Sequence, residues 1–153
     1  MGNFDISPPN SYNPAYCSEY VTSISNASSA EFNVFDDGNY GAFTHTSLVS
    51  ATGITFDHAA GTFTVAAAGK YWLDVLLDAT DSWAGGEVTY RVKVDGATVY
   101  SSDFFLNSGD RSHTIFLILD LTAGQAVSVT IENTAASNVT VNPGTALSLE
   151  RVA

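Results

Sequence analysis

From Tyr71 to Ala79 every second residue is apolar: Tyr71, Leu73, Val75, Leu77 and Ala79. A period of two puts these five on one face of an extended strand, because successive side chains leave a pleated backbone on opposite sides. In a helix the same residues would be scattered around the axis. The period recurs in 88–94, where Val88, Tyr90, Val92 and Val94 alternate with Thr89, Arg91 and Lys93. It recurs again in 127–132, with Val127, Val129 and Ile131 against Ser128, Thr130 and Glu132. Strands with one apolar face must bury it, and a chain made of them folds as two sheets packed face to face.

Turn residues divide the rest into further strands, expected at 31–35, 43–49, 54–57, 62–65, 70–79, 87–94, 97–104, 112–121, 125–132 and 145–152. Asp95-Gly96 between two of them is the two-residue signal of a type I′ hairpin. Asp36-Asp37-Gly38-Asn39 reads as a turn; it lacks the alternating ligands and closing Glu of a Ca²⁺ loop. No segment carries a capped 3.6-residue apolar period, so the expectation is an all-β sandwich or jelly roll.

The first 14 residues are different. Pro8, Pro9 and Pro14 crowd them, and a Pro-Pro pair favours an extended arm over helix or central strand. The arm, taken as 1–30, carries Phe4, Tyr12 and Tyr16, aromatics that call for a docking surface. The chain then divides into this arm and a jelly-roll domain over 31–153. A body of that size buries enough surface to fold without metal or disulfide.

Charge excludes several functions. Sixteen acids against five bases leave a net charge of −11, so neither nucleic acid nor an anionic membrane is an expected partner. Cys17 is alone, which rules out a disulfide within one chain and a zinc–thiolate cluster. The opening MGNFDISPPNSYNPAY has no basic segment followed by an apolar one, so no secretory leader is expected there. His45, His58 and His113 are far apart and form no H-x-H or H-E-x-x-H pair; surface or edge positions are expected for them. No G-x-S-x-G elbow or phosphate loop occurs, and no catalytic residue is assigned.

Two strands break the in–out rule. Ile115-Phe-Leu-Ile-Leu119 is apolar on both faces, so Phe116 and Ile118 point outward if Ile115, Leu117 and Leu119 fill the core. The outward face of 70–79 likewise reads Trp72, Asp74, Leu76, Asp78. Covering Trp72, Leu76, Phe116 and Ile118 would contribute roughly 1.5–3 kcal/mol each. The arm could cover them; a second copy of the chain is the favoured cover.

With the strands in this order, Gly61-Thr-Phe-Thr-Val65 followed by Gly69-Lys-Tyr-Trp72 resembles the central signature of the C1q/TNF-like jelly-roll family. VTYRVKVDGATV (88–99) is similar to that family's hairpin, and HTIFLILDLTAGQAVSVTIEN (113–133) to its strand–Gly turn–strand unit, with Gly124-Gln125 where Gly-Asp is usual. TALSLERV (145–152) matches the closing strand loosely. The resemblance covers roughly 43–152; residues 1–42 have no counterpart, and no Gly-X-Y stalk is present. It implies about ten strands in a compact homotrimer. Around a threefold axis Asp74, Asp78 and Asp120 would repel, calling for Ca²⁺, protonation or a solvated rim; the rim is the ordinary outcome, and no cofactor is otherwise expected.

The functional expectation is a non-enzymatic structural protein of a virion, of bacteriophage type. It would be a homotrimeric capsid decoration or head-fibre protein, assembled in the host cytoplasm. The arm, through Phe4, Pro8, Pro9, Tyr12 and Tyr16, would grip the major capsid protein. The alternative is a receptor- or glycan-binding module of a tail fibre or bacterial surface protein. Its site would be the loops 80–87 and 103–111, with Trp83 as a stacking platform.

Overall fold

The computed structural model describes residues 16–21, 24–26, 31–36, 45–49, 53–81, 86–106, 111–133, 139–142 and 144–152. They are strands, turns and short connections. In chain order the strands are β1 (Tyr16–Val21), β2 (Ile24–Asn26), β3 (Phe32–Asn33), β4 (His45–Val49), β5 (Ile54–Asp57), β6 (Thr62–Val65) and β7 (Gly69–Asp81). There follow β8 (Gly86–Val94), β9 (Ala97–Leu106), β10 (Arg111–Leu121), β11 (Ala126–Asn133), β12 (Val139–Val141) and β13 (Ala146–Arg151). Among the described residues, setting aside β2, β3 and β12, of two or three residues each, leaves ten strands, the number that the resemblance implies. β1 makes up that number, because the expected strand 31–35 shortens to β3.

Among the described residues all pairings are antiparallel and form two sheets. The first runs β10–β7–β13–β1–β4, with β12 beside β7 beyond the end of β13 and β2 beside β12. The second runs β9–β8–β11–β6–β5, with β3 continuing along β11 past β6. Among the described residues β10 pairs only with β7 and β9 only with β8, so each sheet ends in a long edge strand. The two edges face each other across one open side of the sandwich, where the Phe104 ring of β9 lies flat on His113 of β10.

The period-two reading holds where it was clearest. Tyr71, Leu73, Val75, Leu77 and Ala79 are all buried, and so are Val88, Tyr90, Val92, Val127, Val129 and Ile131 from the facing sheet. Leu147 and Leu149 of β13 and Phe63 and Val65 of β6 complete the interior. Thr89 departs from expectation. It points away from the core, yet it is buried, because its hydroxyl donates to the Asp103 carboxylate 2.8 Å away on β9.

Two turns hold the sheets in register. Asp95 and Gly96 adopt φ of 50° and 80°, the left-handed pair that a type I′ hairpin needs. The Asp95 carboxylate accepts from the Ala126 amide at 2.9 Å and from Gln125 Nε2 at 3.0 Å, which ties this hairpin to the β10–β11 turn. The expected strand 31–35 is shorter than its pattern: β3 covers two residues before the chain turns. That turn lets Phe32, Val34 and Phe35 all reach the core, which straight alternation would forbid. Asn33 locks it, donating Nδ2 to the carbonyls of Ala60 and Gly61 and accepting from the Phe35 amide.

Candidate interaction face

Paired residues in an antiparallel ladder share a face, so the register fixes the outer surface of the first sheet. Ile118 lies opposite Trp72, Phe116 opposite Asp74 and Thr114 opposite Leu76 across β10 and β7. On the other side of β7, Glu150 pairs with Trp72, Ser148 with Asp74 and Ala146 with Leu76. β1 extends the rows, with Tyr16, Ser18 and Tyr20 in register with Glu150, Ser148 and Ala146.

The four apolar side chains on this surface are exposed in the protomer: Trp72 by 48%, Leu76 by 38%, Phe116 by 60% and Ile118 by 66%. Trp72 and Phe116 meet edge to face, with ring centroids 6.5 Å apart at 90°. That arrangement suits the quadrupoles of the two rings and fixes their positions. The result is one contiguous apolar patch across neighbouring strands, where scattered single residues would need no explanation.

Its charged groups lie mostly at the ends. Lys70 Nζ is 2.7 Å from Asp120 Oδ1, an exposed pair that contributes little to stability. At the other end the Asp78 carboxylate accepts from Asn142 Nδ2 at 3.0 Å. Asp74 stands alone in the middle, half-buried. The three aspartates raised as a Ca²⁺ set are therefore separated within one chain. Asp74 and Asp78 are four residues apart on an extended strand, about 13 Å. Asp120 is engaged with Lys70. Among the described residues no group of three or more His, Cys, Asp or Glu is arranged to hold a metal.

The other expected sites fall as follows. Phe4, Pro8, Pro9 and Tyr12 lie outside the described residues, as does Trp83. Tyr16, expected in the arm, begins β1, whose backbone is held between β13 and β4. His58 packs edge-on against Phe56. His113 is on an edge strand, as expected of it, but is turned inward.

A polar cluster that the sequence reading missed lies at the open side. Tyr90 is fully buried, its hydroxyl has no hydrogen-bond partner among the described residues, and neither has Nε2 of His113. Burial pushes the Tyr90 hydroxyl well above its ordinary pKa, and the nearby Tyr100 and Asp74 push it the same way. Counting back by twos from Ile115 would have put His113 on the core face.

A second unread group lies on the outside of the other sheet. Glu31 binds Lys93 at 2.6 Å and Arg91 at 3.7 Å and accepts from the Thr130 hydroxyl, while Arg91 also binds Glu132 at 2.6 Å. Burial raises the Glu31 pKa, but the bonds from Lys93 and Thr130 and the charges of Lys93 and Arg91 outweigh it and hold it below the usual value.

No family model matches the chain, and no curated protein matches it by sequence. The likeness is to solved structures. Eiger TNF from S. frugiperda superposes with a TM-score of 0.57 at 16% identity, over 91% of this chain and 94% of that one. Murine APRIL, crystallised at pH 5.0, superposes with a TM-score of 0.59 at 14% identity, over 90% of this chain and 99% of that one. The chain has the C1q/TNF-like jelly-roll fold.

Proposed function

We propose that this chain is a non-catalytic structural protein that works as a homotrimer, with the outer face of the β10–β7–β13 sheet turned toward neighbouring copies. The observation that carries the reading is the exposed patch of Trp72, Leu76, Phe116 and Ile118. Aromatic anchors of this kind dominate the binding energy of protein interfaces. A second copy is the fitting cover because the same molecule offers a matching surface. Half-buried Tyr100, Phe104, Leu117 and Leu119 line the open side next to the patch, and β10 contributes to both surfaces. Two different surfaces that meet head to tail form a ring where the rotation between copies closes, and the C1q/TNF-like resemblance supports a ring of three.

The finer reading places this trimer on a virion, as a capsid decoration or head-fibre protein. The proline-rich, aromatic N-terminal sequence, with Phe4, Pro8, Pro9, Tyr12 and Tyr16, would dock on the major capsid protein. Threefold symmetry suits the local threefold positions of a capsid lattice, an argument from architecture alone.

Light scattering on the purified chain tests the assembly. A mass near three times 16.1 kDa is expected toward about pH 5, and a chain that stays monomeric at micromolar concentration at every pH from about 8 to 5 would overturn the reading. For the virion role, the chain without residues 1–15 is expected to stay trimeric and lose binding to capsid particles. Undiminished particle binding, or binding to a cell-surface receptor or glycan that Trp83→Ala abolishes, would instead favour a recognition module.

A further inference from the structure

Asp74 lies at the centre of the apolar patch on the outer face, where a carboxylate does not suit being covered. On β7 it sits between Trp72 and Leu76; it faces Phe116 on β10 and Ser148 on β13. It is already half-buried in the protomer, and among the described residues its carboxylate has no hydrogen bond or ion pair.

Among the described residues nothing nearby neutralises it. On β10 its neighbours are Thr114, Phe116 and Ile118, with Asp120 beyond and already bound to Lys70. On β13 they are Ala146, Ser148 and Glu150, the last another acid. On β7 the next charged groups are Lys70 at one end and Asp78 at the other. In the next row β1 brings Ser18 into register, flanked by Tyr16 and Tyr20. From inside, the buried Tyr90 hydroxyl feels the charge of Asp74 as a further push upward.

Resting on the self-association proposed above, we infer that copies of this chain join through this face with proton uptake at Asp74. Covering Trp72, Leu76, Phe116 and Ile118 also covers the carboxyl, and removing water favours its neutral form. The assembled state then binds more protons than the free protomer. By linkage, association strengthens as pH falls and weakens as pH rises. The limit is about tenfold in the association constant per protomer per pH unit. Asp74 thus makes a permanent apolar contact conditional on pH.

The test is the mass of the wild-type chain and of Asp74→Asn by sedimentation or light scattering between about pH 8 and 5. This range stays above the isoelectric point near 4.2. The work is done in about 1 M salt, where a screening length near 3 Å suppresses repulsion between protomers of net charge −11. Asp74→Asn keeps the shape and removes the charge. Wild type is expected to move from protomer toward trimer as pH falls, and Asp74→Asn to be trimeric throughout. A wild-type trimer equally tight at both ends, or a pH slope shared by Asp74→Asn, would overturn the coupling and leave self-association standing. Weaker association of Asp74→Asn would also overturn it, since the carboxylate would then be held by a donor across the contact. If neither protein associates at any pH, self-association itself fails, and the inference with it.

Discussion

Gly61 shows how one residue can be irreplaceable without touching a ligand. Its φ of 59° is left-handed, and a Cβ built there would lie 2.6 Å from both the Asp36 nitrogen and the Phe35 carbonyl carbon. Gly61→Ala is therefore expected to lower stability by about 1–3 kcal/mol, read as a fall in the urea midpoint. Tyr90 predicts the opposite. Its buried hydroxyl has no partner among the described residues, so Tyr90→Phe removes a desolvated group and no bond. The change should be neutral or stabilising by up to about 1 kcal/mol in the same assay. Glu31 predicts a pH dependence. Its pKa is held below the ordinary value in the folded state, so its contribution is present above the unfolded pKa, about 4.3, and is lost as pH falls through the lower folded value. Denaturation midpoints measured from neutral to acid pH should show a steeper acid limb for wild type than for Glu31→Gln.

At the scale of elements, β7 and β10 illustrate what alternation can and cannot say. It identified the inner face of β7 residue by residue and, on β10, Ile115, Leu117 and Leu119 but not His113, because a pleated strand has only two sides and the bulky apolar set filled one. It also identified Trp72, Leu76, Phe116 and Ile118 as outward, and all four are exposed. Replacing Phe116 and Ile118 together by Ser should leave a folded protomer with a cooperative denaturation transition and reduce the light-scattering mass to that of one chain. β1 teaches the reverse lesson. YCSEYV has no clean period, and its place in the sheet comes from backbone pairing with β13 and β4, strands far away in sequence. An N-terminal deletion through residue 15 spares this strand. One through Val21 removes it and is expected to lower stability as well as any docking.

For the whole molecule, two surfaces set the expectations: the outer face of the first sheet and the open side between β9 and β10. Chelator is expected to leave the mass of the assembly unchanged, because within a chain Asp120 is bound to Lys70 and stands apart from Asp74 and Asp78. Dissociation on adding chelator, reversed by Ca²⁺, would contradict this. The polar network of Glu31, Arg91, Lys93, Thr130 and Glu132 covers the outside of the second sheet and uses two of the five bases of the chain. That sheet therefore meets water with compensated charge, while the first presents hydrocarbon and an uncompensated acid.

Much of this was legible in the residues alone: the all-β class, the inner faces of β7, β8 and β11, the Asp95–Gly96 hairpin and the apolar outer patch. Each depends on local rules, the two-sidedness of a strand or the backbone demands of a turn, that a short window of sequence carries in full. Other features depend on which distant strands lie side by side. Gly61 must be glycine because residues 33–36 cross over it, and His113 and Tyr90 meet because the β10 edge lies across the sandwich from β8 and β9. Asp74 is isolated because β10 and β13, not some other strands, flank β7. Register across a sheet is a long-range choice, made by the packing of both faces at once, and no local pattern spells it out.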